Sequence, residues 1–294
     1  MAMSWQVLAW HKQNPKTSWA PLVFAGLVTT LFLLLLQNNS YPSRISNLID
    51  QPEDKIPPQK SAAIPDKLWQ IFLPPNNAGD DFTIHPAALI DVPSWLARNP
   101  DYHYRLVTSK WADAFVDAQF GPESEIAKVY HELRNPGLKS DLLRYLILFI
   151  EGGVYTDTDT EGLQPIDKWV GWDMKDRVKL IVGVEFDQRD GGPWADIPHV
   201  LQFCQWTIAA APGHPIFPDM VARSLGSLKE LSATYNKSLG DMKPSSFEVM
   251  NSTGPAAWTE VVFAHLQKFD PGLQSLRDLS SMKNPRLYGA LREH

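Results

Sequence analysis

Residues 139–162 read KSDLLRYLILFIEGGVYTDTDTEG, and the fold turns on this stretch. Leu142, Leu143, Leu146, Ile147 and Ile150 recur at helical spacing, so the segment from Ser140 to Glu151 is predicted to be a helix with one apolar face, stopped by Gly152-Gly153. VYTD then has the branched and aromatic residues of a short strand, and a strand that follows a helix through a tight glycine turn is one half of an α/β unit. Asp157 and Asp159 stand at its end, two positions apart. In an extended segment their side chains would share one face and could reach one cation.

The rest of the chain repeats the alternation. KLWQIFL (Lys67 to Leu73), YHYRLVT (Tyr102 to Thr108), KLIVGVEF (Lys179 to Phe186) and LQFCQWTIAAA (Leu201 to Ala211) are predicted strands. Helical spacing marks PAALIDVPSWLARN, Trp111 to Phe120, Glu123 to Arg134, Pro215 to Leu231 and Pro255 to Phe269. The expectation is an α/β sandwich with a largely parallel central sheet, whose ligands sit at the carboxyl ends of strands.

The N-terminus carries a different signal. Thr17 to Leu36 has no charged residue and matches the ~20 residues that cross a bilayer core, too long for the ~7–15-residue apolar stretch of a cleaved leader. Lys12 and Lys16 precede it without an acid, so residues 1–16 are expected in the cytosol, 17–36 as the transmembrane anchor, 37–63 as a flexible stem rich in Asn, Ser and Pro, and 64–294 as a lumenal domain. Asn38, Asn236 and Asn251 head Asn-x-Ser/Thr triplets.

Composition excludes some classes. The net charge of −6 leaves no basic surface for a nucleic-acid partner. Cys204 is the only cysteine, so no disulfide within the chain and no cysteine-based zinc site can form. A calcium loop starting at Asp157 would need a bidentate Glu where Lys168 stands. Paired carboxylates at a strand end instead suit a hard cation, Mn²⁺ or Mg²⁺, completed by substrate phosphates.

The run from Lys139 to Asp167 resembles the core of glycosyltransferase family 32, in which an Asp-x-x-Arg-Tyr helix leads through Gly-Gly and Tyr into an Asp-x-Asp motif. IPDKLWQIF, LQFCQWTIAAAPGHPIF and NSTGPAAWTEVV agree with it in order, the last two most closely with its fungal initiation-specific α-1,6-mannosyltransferases. The resemblance implies a GT-A nucleotide-sugar-binding fold and a retaining transfer of mannose from GDP-mannose to a mannose-containing N-glycan or glycoprotein. It also implies a type II Golgi membrane setting and a place in a membrane transferase complex. Carried over by motif, Asp157 and Asp159 bind the metal and carry catalysis, while Asp141, Arg144 and Tyr155 lie by the donor. Trp69 and Gln70 fall near the nucleotide, Trp69 being equally readable as a core residue. Thr253, Gly254 and Pro255 fall on the acceptor side, or form a plain helix start. Glu185 and Asp187 follow a predicted strand and could approach the site, and His214 reads as a turn or packing residue. Family members continue past a segment like LYGALREH, whereas this chain ends at His294; a non-catalytic glycan-binding subunit, or a transferase with another donor, is the rival reading.

Overall fold

The computed structural model describes residues 31–32, 63–74, 82–189, 191–192 and 197–281. Strands β1 (Leu31–Phe32), β2 (Lys67–Ile71), β3 (His103–Val107), β4 (Gly153–Thr156), β5 (Leu180–Asp187) and β6 (Leu201–Ala210) form one sheet in the order β1-β5-β6-β4-β2-β3. The helices are α1 (Val92–Arg98), α2 (Ser109–Phe120), α3 (Glu125–Glu132), α4 (Pro136–Glu151), α5 (Ile216–Tyr235), α6 (Ser246–Ser252) and α7 (Pro255–Phe269). Of the apolar segment 17–36 only β1 is described, and it pairs antiparallel with Ile181 and Val182 of β5. The remainder of that segment and most of the expected stem lie outside the described residues. Among the described residues no helix is long and apolar enough to cross a membrane.

The sheet is mixed, which corrects the expectation of a largely parallel one. β2 pairs parallel with β3 and β4, because helices intervene in each crossover. β6 runs antiparallel to both β4 and β5. Asp187 faces Leu201 across the β5–β6 pair, so the chain reverses directly onto β5 instead of crossing over through a helix.

α4 starts four residues before Ser140, because Asn135 caps it: Asn135 Oδ1 accepts from the N–H groups of Gly137 (2.9 Å) and Leu138 (3.2 Å), and Pro136 occupies the first helical position. It ends at Gly152, and the next two residues must turn the chain sharply into the sheet. Gly152 has φ +60° and Gly153 φ +96°; a Cβ would lie 2.6 Å from Pro212 at the first and 2.7 Å from the Lys67 carbonyl oxygen at the second. Only glycine fits that approach.

One face of the sheet packs on α2, α3, α4, α5 and α7. Trp69, Tyr155, Val182 and Ile208 point into this main core, where Trp258 is fully buried and stacks between Tyr145 (5.6 Å) and Phe217 (6.1 Å). The other face carries a smaller cluster, with Leu68, Val154, Ile181 and Ala209 of the sheet beneath Trp95 of α1 and Trp169. The aspartate turn emerges between these two layers.

Candidate active site

β4 stops at Thr156, and Asp157 begins a turn instead of continuing the strand. The Asp157 N–H donates to the Trp206 carbonyl of β6 (2.9 Å), while the Thr160 N–H and hydroxyl both return to the Asp157 carbonyl (3.3 and 2.6 Å). The expected extended segment with both aspartates on one strand face is therefore corrected: both stand in a turn, where the Asp159 charge bears on Asp157. Asp157 is half-buried and Asp159 exposed. Past the turn the chain is clamped by α1, where the Trp95 indole donates to the Thr160 carbonyl (2.7 Å) and Ser94 Oγ accepts from the Gly162 N–H (2.8 Å).

Behind the turn lies a buried polar network. Asp141 and Arg144, 6% and 4% exposed, form a 2.9 Å ion pair inside the core and not on a helix surface. The same guanidinium reaches Asp157 Oδ1 at 3.3 Å, donates to the Gln205 carbonyl at 3.2 Å, and lies 4.6 Å from the centre of the Tyr155 ring. Asp141 accepts from Gln205 Nε2 (3.1 Å) and the Thr253 hydroxyl (2.8 Å). Tyr145 closes the group, its hydroxyl donating to the Thr253 carbonyl (2.8 Å) and lying 2.6 Å from Gln205 Nε2. Burial raises the pKa of Asp141, with Arg144, Thr253 and Gln205 opposing it.

Asp157 is held from behind by the Tyr155 hydroxyl (2.5 Å) as well as by Arg144. Both contacts fall on Oδ1, which leaves Oδ2 for a ligand. Burial raises its pKa too, Arg144 and Tyr155 opposing and the neighbouring Asp159 charge adding. A cation bound at the pair would relieve that repulsion. Among the described residues no group of three or more His, Cys, Asp or Glu gathers to hold a metal alone. Two carboxylates are too few for a closed site, and they fit a hard ion whose coordination a phosphate completes.

Gln70 is fully buried under the turn. Its Nε2 donates to Thr156 Oγ1 (3.0 Å) and the Asp157 carbonyl (3.2 Å), and its Oε1 accepts from the Tyr104 hydroxyl (3.1 Å). It thus holds Asp157 from the main-chain side. Trp69 points the other way, into the helix layer beside Trp111, and its N–H is spent on the Gly152 carbonyl (2.9 Å). That is the position of a core residue. Thr253, Gly254 and Pro255 form the α6–α7 junction, with Thr253 fully buried behind Asp141, Gly254 capping α7 and Pro255 opening it. Asp187 binds Ser280 Oγ and the Ser281 N–H and hydroxyl (2.8 to 2.9 Å), so it pins the following segment and not the turn. Glu185 does approach: it accepts from Gln202 Nε2 (3.1 Å) and feels the Asp157 charge.

Gln205 had no place in the sequence reading, and Tyr145 stood there only as the tyrosine of the Asp-x-x-Arg-Tyr motif, with no role given to it. A glutamine in the middle of an otherwise apolar buried strand was the available signal for the first, since a buried amide needs partners.

The family described as "Glycosyltransferase sugar-binding region containing DXD motif" matches residues 90–174, which carry the aspartate turn, Asp141, Arg144 and Tyr155. The chain is similar to the initiation-specific alpha-1,6-mannosyltransferase of Candida albicans, 34% identical over 75% of this chain and 58% of that one. It is similar to the protein of the same name from Schizosaccharomyces pombe, 35% identical over 66% and 48% respectively. The chain thus spans about half the length of these curated relatives. The solved structure of PaToxG glycosyltransferase aligns over 77% of this chain and 79% of that one, with a TM-score of 0.46 and 16% identity.

Proposed function

We propose that this chain is a member of glycosyltransferase family 32 and a metal-dependent transferase of the GT-A type, a reading supported by its match to the DXD-containing sugar-binding region and by its two fungal relatives. It moves mannose from GDP-mannose to a mannose-containing glycan with retention of configuration, forming an α-1,6 linkage. The names of the two fungal relatives support the sugar and the linkage. The apolar run 17–36 with its preceding lysines supports a membrane anchor with a lumenal domain, although Leu31–Phe32 within it pair with β5; the Golgi setting rests on the family resemblance alone.

One observation carries the reading: Asp157, anchored through Oδ1 by Arg144 and Tyr155, stands beside the exposed Asp159 at the end of a central strand. Asp157 and Asp159 would hold Mn²⁺ or Mg²⁺, which supplies Lewis-acid neutralisation of the departing diphosphate. Arg144 favours the ionised form of Asp157 against the effect of burial, and Asp141 keeps Arg144 in place. Gln70 fixes the main chain of the turn. These residues are already paired before any ligand arrives, so little reorganisation is left for the reaction itself.

The test is a panel of nucleotide sugars incubated with the full chain and a mannose oligosaccharide, with Mn²⁺ and with a chelator. GDP-mannose should be turned over, and the chelator should abolish turnover. Preferred turnover of a UDP-sugar would sink the mannose assignment, and chelator-resistant transfer would sink the metal.

A further inference from the structure

The Asn-x-Ser/Thr triplets Asn236-Lys237-Ser238 and Asn251-Ser252-Thr253 fall among the described residues, whereas Asn38 lies outside them. The fold treats the two triplets differently. Asn236 ends α5 in the left-handed region (φ 49°, ψ 46°), which asparagine tolerates better than most residues with a Cβ. Its N–H donates to the Ala233 carbonyl and that of Lys237 to the Ser232 carbonyl (3.2 Å each), while Ser232 Oγ donates to the Lys237 carbonyl (2.6 Å). The chain then turns back onto α3, where the buried Leu239 donates its N–H to Glu132 Oε1 (3.0 Å). Asn236, Lys237 and Ser238 are thereby held on the outside of a fixed turn, all three exposed. The Ser238 hydroxyl donates to Asp241 Oδ2 (2.6 Å), also exposed, so that bond can be exchanged for another.

Asn251 lies inside α6 and is half-buried. Its Nδ2 donates to the Phe247 carbonyl one turn back (2.8 Å), and its own carbonyl accepts from the Arg223 guanidinium of α5 (3.2 Å). The rest of its triplet is inside the protein: Ser252 is 3% exposed, and the fully buried Thr253 gives its hydroxyl to Asp141 (2.8 Å). That hydroxyl reaches solvent only if the network around Asp141 opens.

We propose that Asn236 carries an N-linked oligosaccharide and that Asn251 is left bare. In the attaching step Asn236 Nδ2 forms a bond to the anomeric carbon of an oligosaccharide held on a lipid diphosphate. The bond between that carbon and the diphosphate oxygen breaks, the lipid diphosphate leaves with the electron pair, and Nδ2 releases one proton. The acceptor triplet is read at a surface loop by its carboxamide and its hydroxyl together, and of the two only Asn236-Lys237-Ser238 offers both at the surface of the folded chain. A sugar attached before folding is sorted the same way. At Asn236 the chain folds without enclosing it, whereas at Asn251 it would stand between α6 and the Arg223 side chain of α5. The assignment rests on the lumenal reading of the domain and is independent of the transferase reading.

The experiment expresses the full chain in a eukaryotic secretory pathway, releases N-linked sugars with a peptide amidase that turns each modified asparagine into aspartate, and maps the peptides by mass spectrometry. The wild type should show aspartate at position 236 and unchanged asparagine at position 251. Asn236→Gly suits the left-handed turn, because glycine adopts that φ freely, and Ser238→Ala removes only the hydroxyl of the triplet. Both variants should fold and lose the amidase-sensitive mobility shift that position 236 contributes. A bare Asn236 in the wild type overturns the proposal, as does a sugar on Asn251 or a Ser238→Ala chain still modified at Asn236. Protease added to sealed microsomes separates the two ways of failing. A protected domain with a bare Asn236 rejects the site alone, and a domain digested without detergent rejects the lumenal reading with it.

Discussion

Replacing Arg144 by Met tests whether the buried pair is what holds the aspartate turn. The guanidinium is 4% exposed and meets Asp141 at 2.9 Å and Asp157 at 3.3 Å, so its loss leaves Asp141 in the core with two neutral hydrogen bonds and no counter-charge. Removing one partner of such a pair costs ~3–5 kcal/mol. In a domain of this size each kcal/mol moves Tm by about 2–4 °C, so melting should fall by roughly 6–20 °C. Adding Asp141→Asn removes the stranded charge, and the double variant should recover at least ~1 kcal/mol relative to Arg144→Met alone. Transfer should remain lost in both, because Asp157 has lost its anchor. Urea unfolding of the four species gives the coupling directly. Strictly additive costs, or a loss below ~1 kcal/mol for Arg144→Met, would refute the claim that Asp141 and Arg144 depend on each other.

Asp159→Asn removes one charge from a repelling pair at an exposed position, so stability should stay within ~0.5 kcal/mol while turnover falls at least ~100-fold, equivalent to about 2.7 kcal/mol; wild-type transfer rates in this variant would reject the aspartates as the metal site. Gly153→Ala must place a Cβ 2.7 Å from the Lys67 carbonyl at φ +96°, and should cost more than ~2 kcal/mol in urea unfolding. His214 and His265 lie 5.6 Å apart in the core, their pKa values pushed down from the ordinary 6.5 to about 3 and about 4, chiefly by burial. The unfolded chain then binds protons that the folded chain refuses as pH falls below 6.5. Stability should drop by roughly 2 kcal/mol per histidine between pH 7 and 5, and His265→Phe should remove about half of that slope.

The elements with long apolar periodicity were legible, and α7 runs from Pro255 to Phe269 as its spacing predicts. Strand direction was not. A strand buried on both faces has the same apolar composition whichever way its neighbours run, so LQFCQWTIAA showed burial without showing that β6 is antiparallel to β4. α6 was missed although Ser245 and Glu248 make a capping box visible in the sequence; its seven residues are too few to establish a helical period.

The site divides in the same way. Asp141, Arg144, Tyr155 and Asp157 lie within one helix–strand unit, so a local motif exposes them together. What sets their protonation and direction comes from elsewhere: Gln205 from β6, Thr253 from the α6–α7 junction, and Gln70 from β2, each meeting the unit across at least 60 residues of chain. No spacing rule links such positions, because their contact depends on the strand order β6-β4-β2, which places a strand on each side of β4. Once that order is known, the partners follow from it. β6 supplies the carbonyl that receives the Asp157 N–H, and β2 supplies the amide that binds the Asp157 carbonyl. The main chain of Asp157 is therefore fixed from two strands and its carboxylate from a helix, which leaves Oδ2 as the part of the residue still open to a ligand.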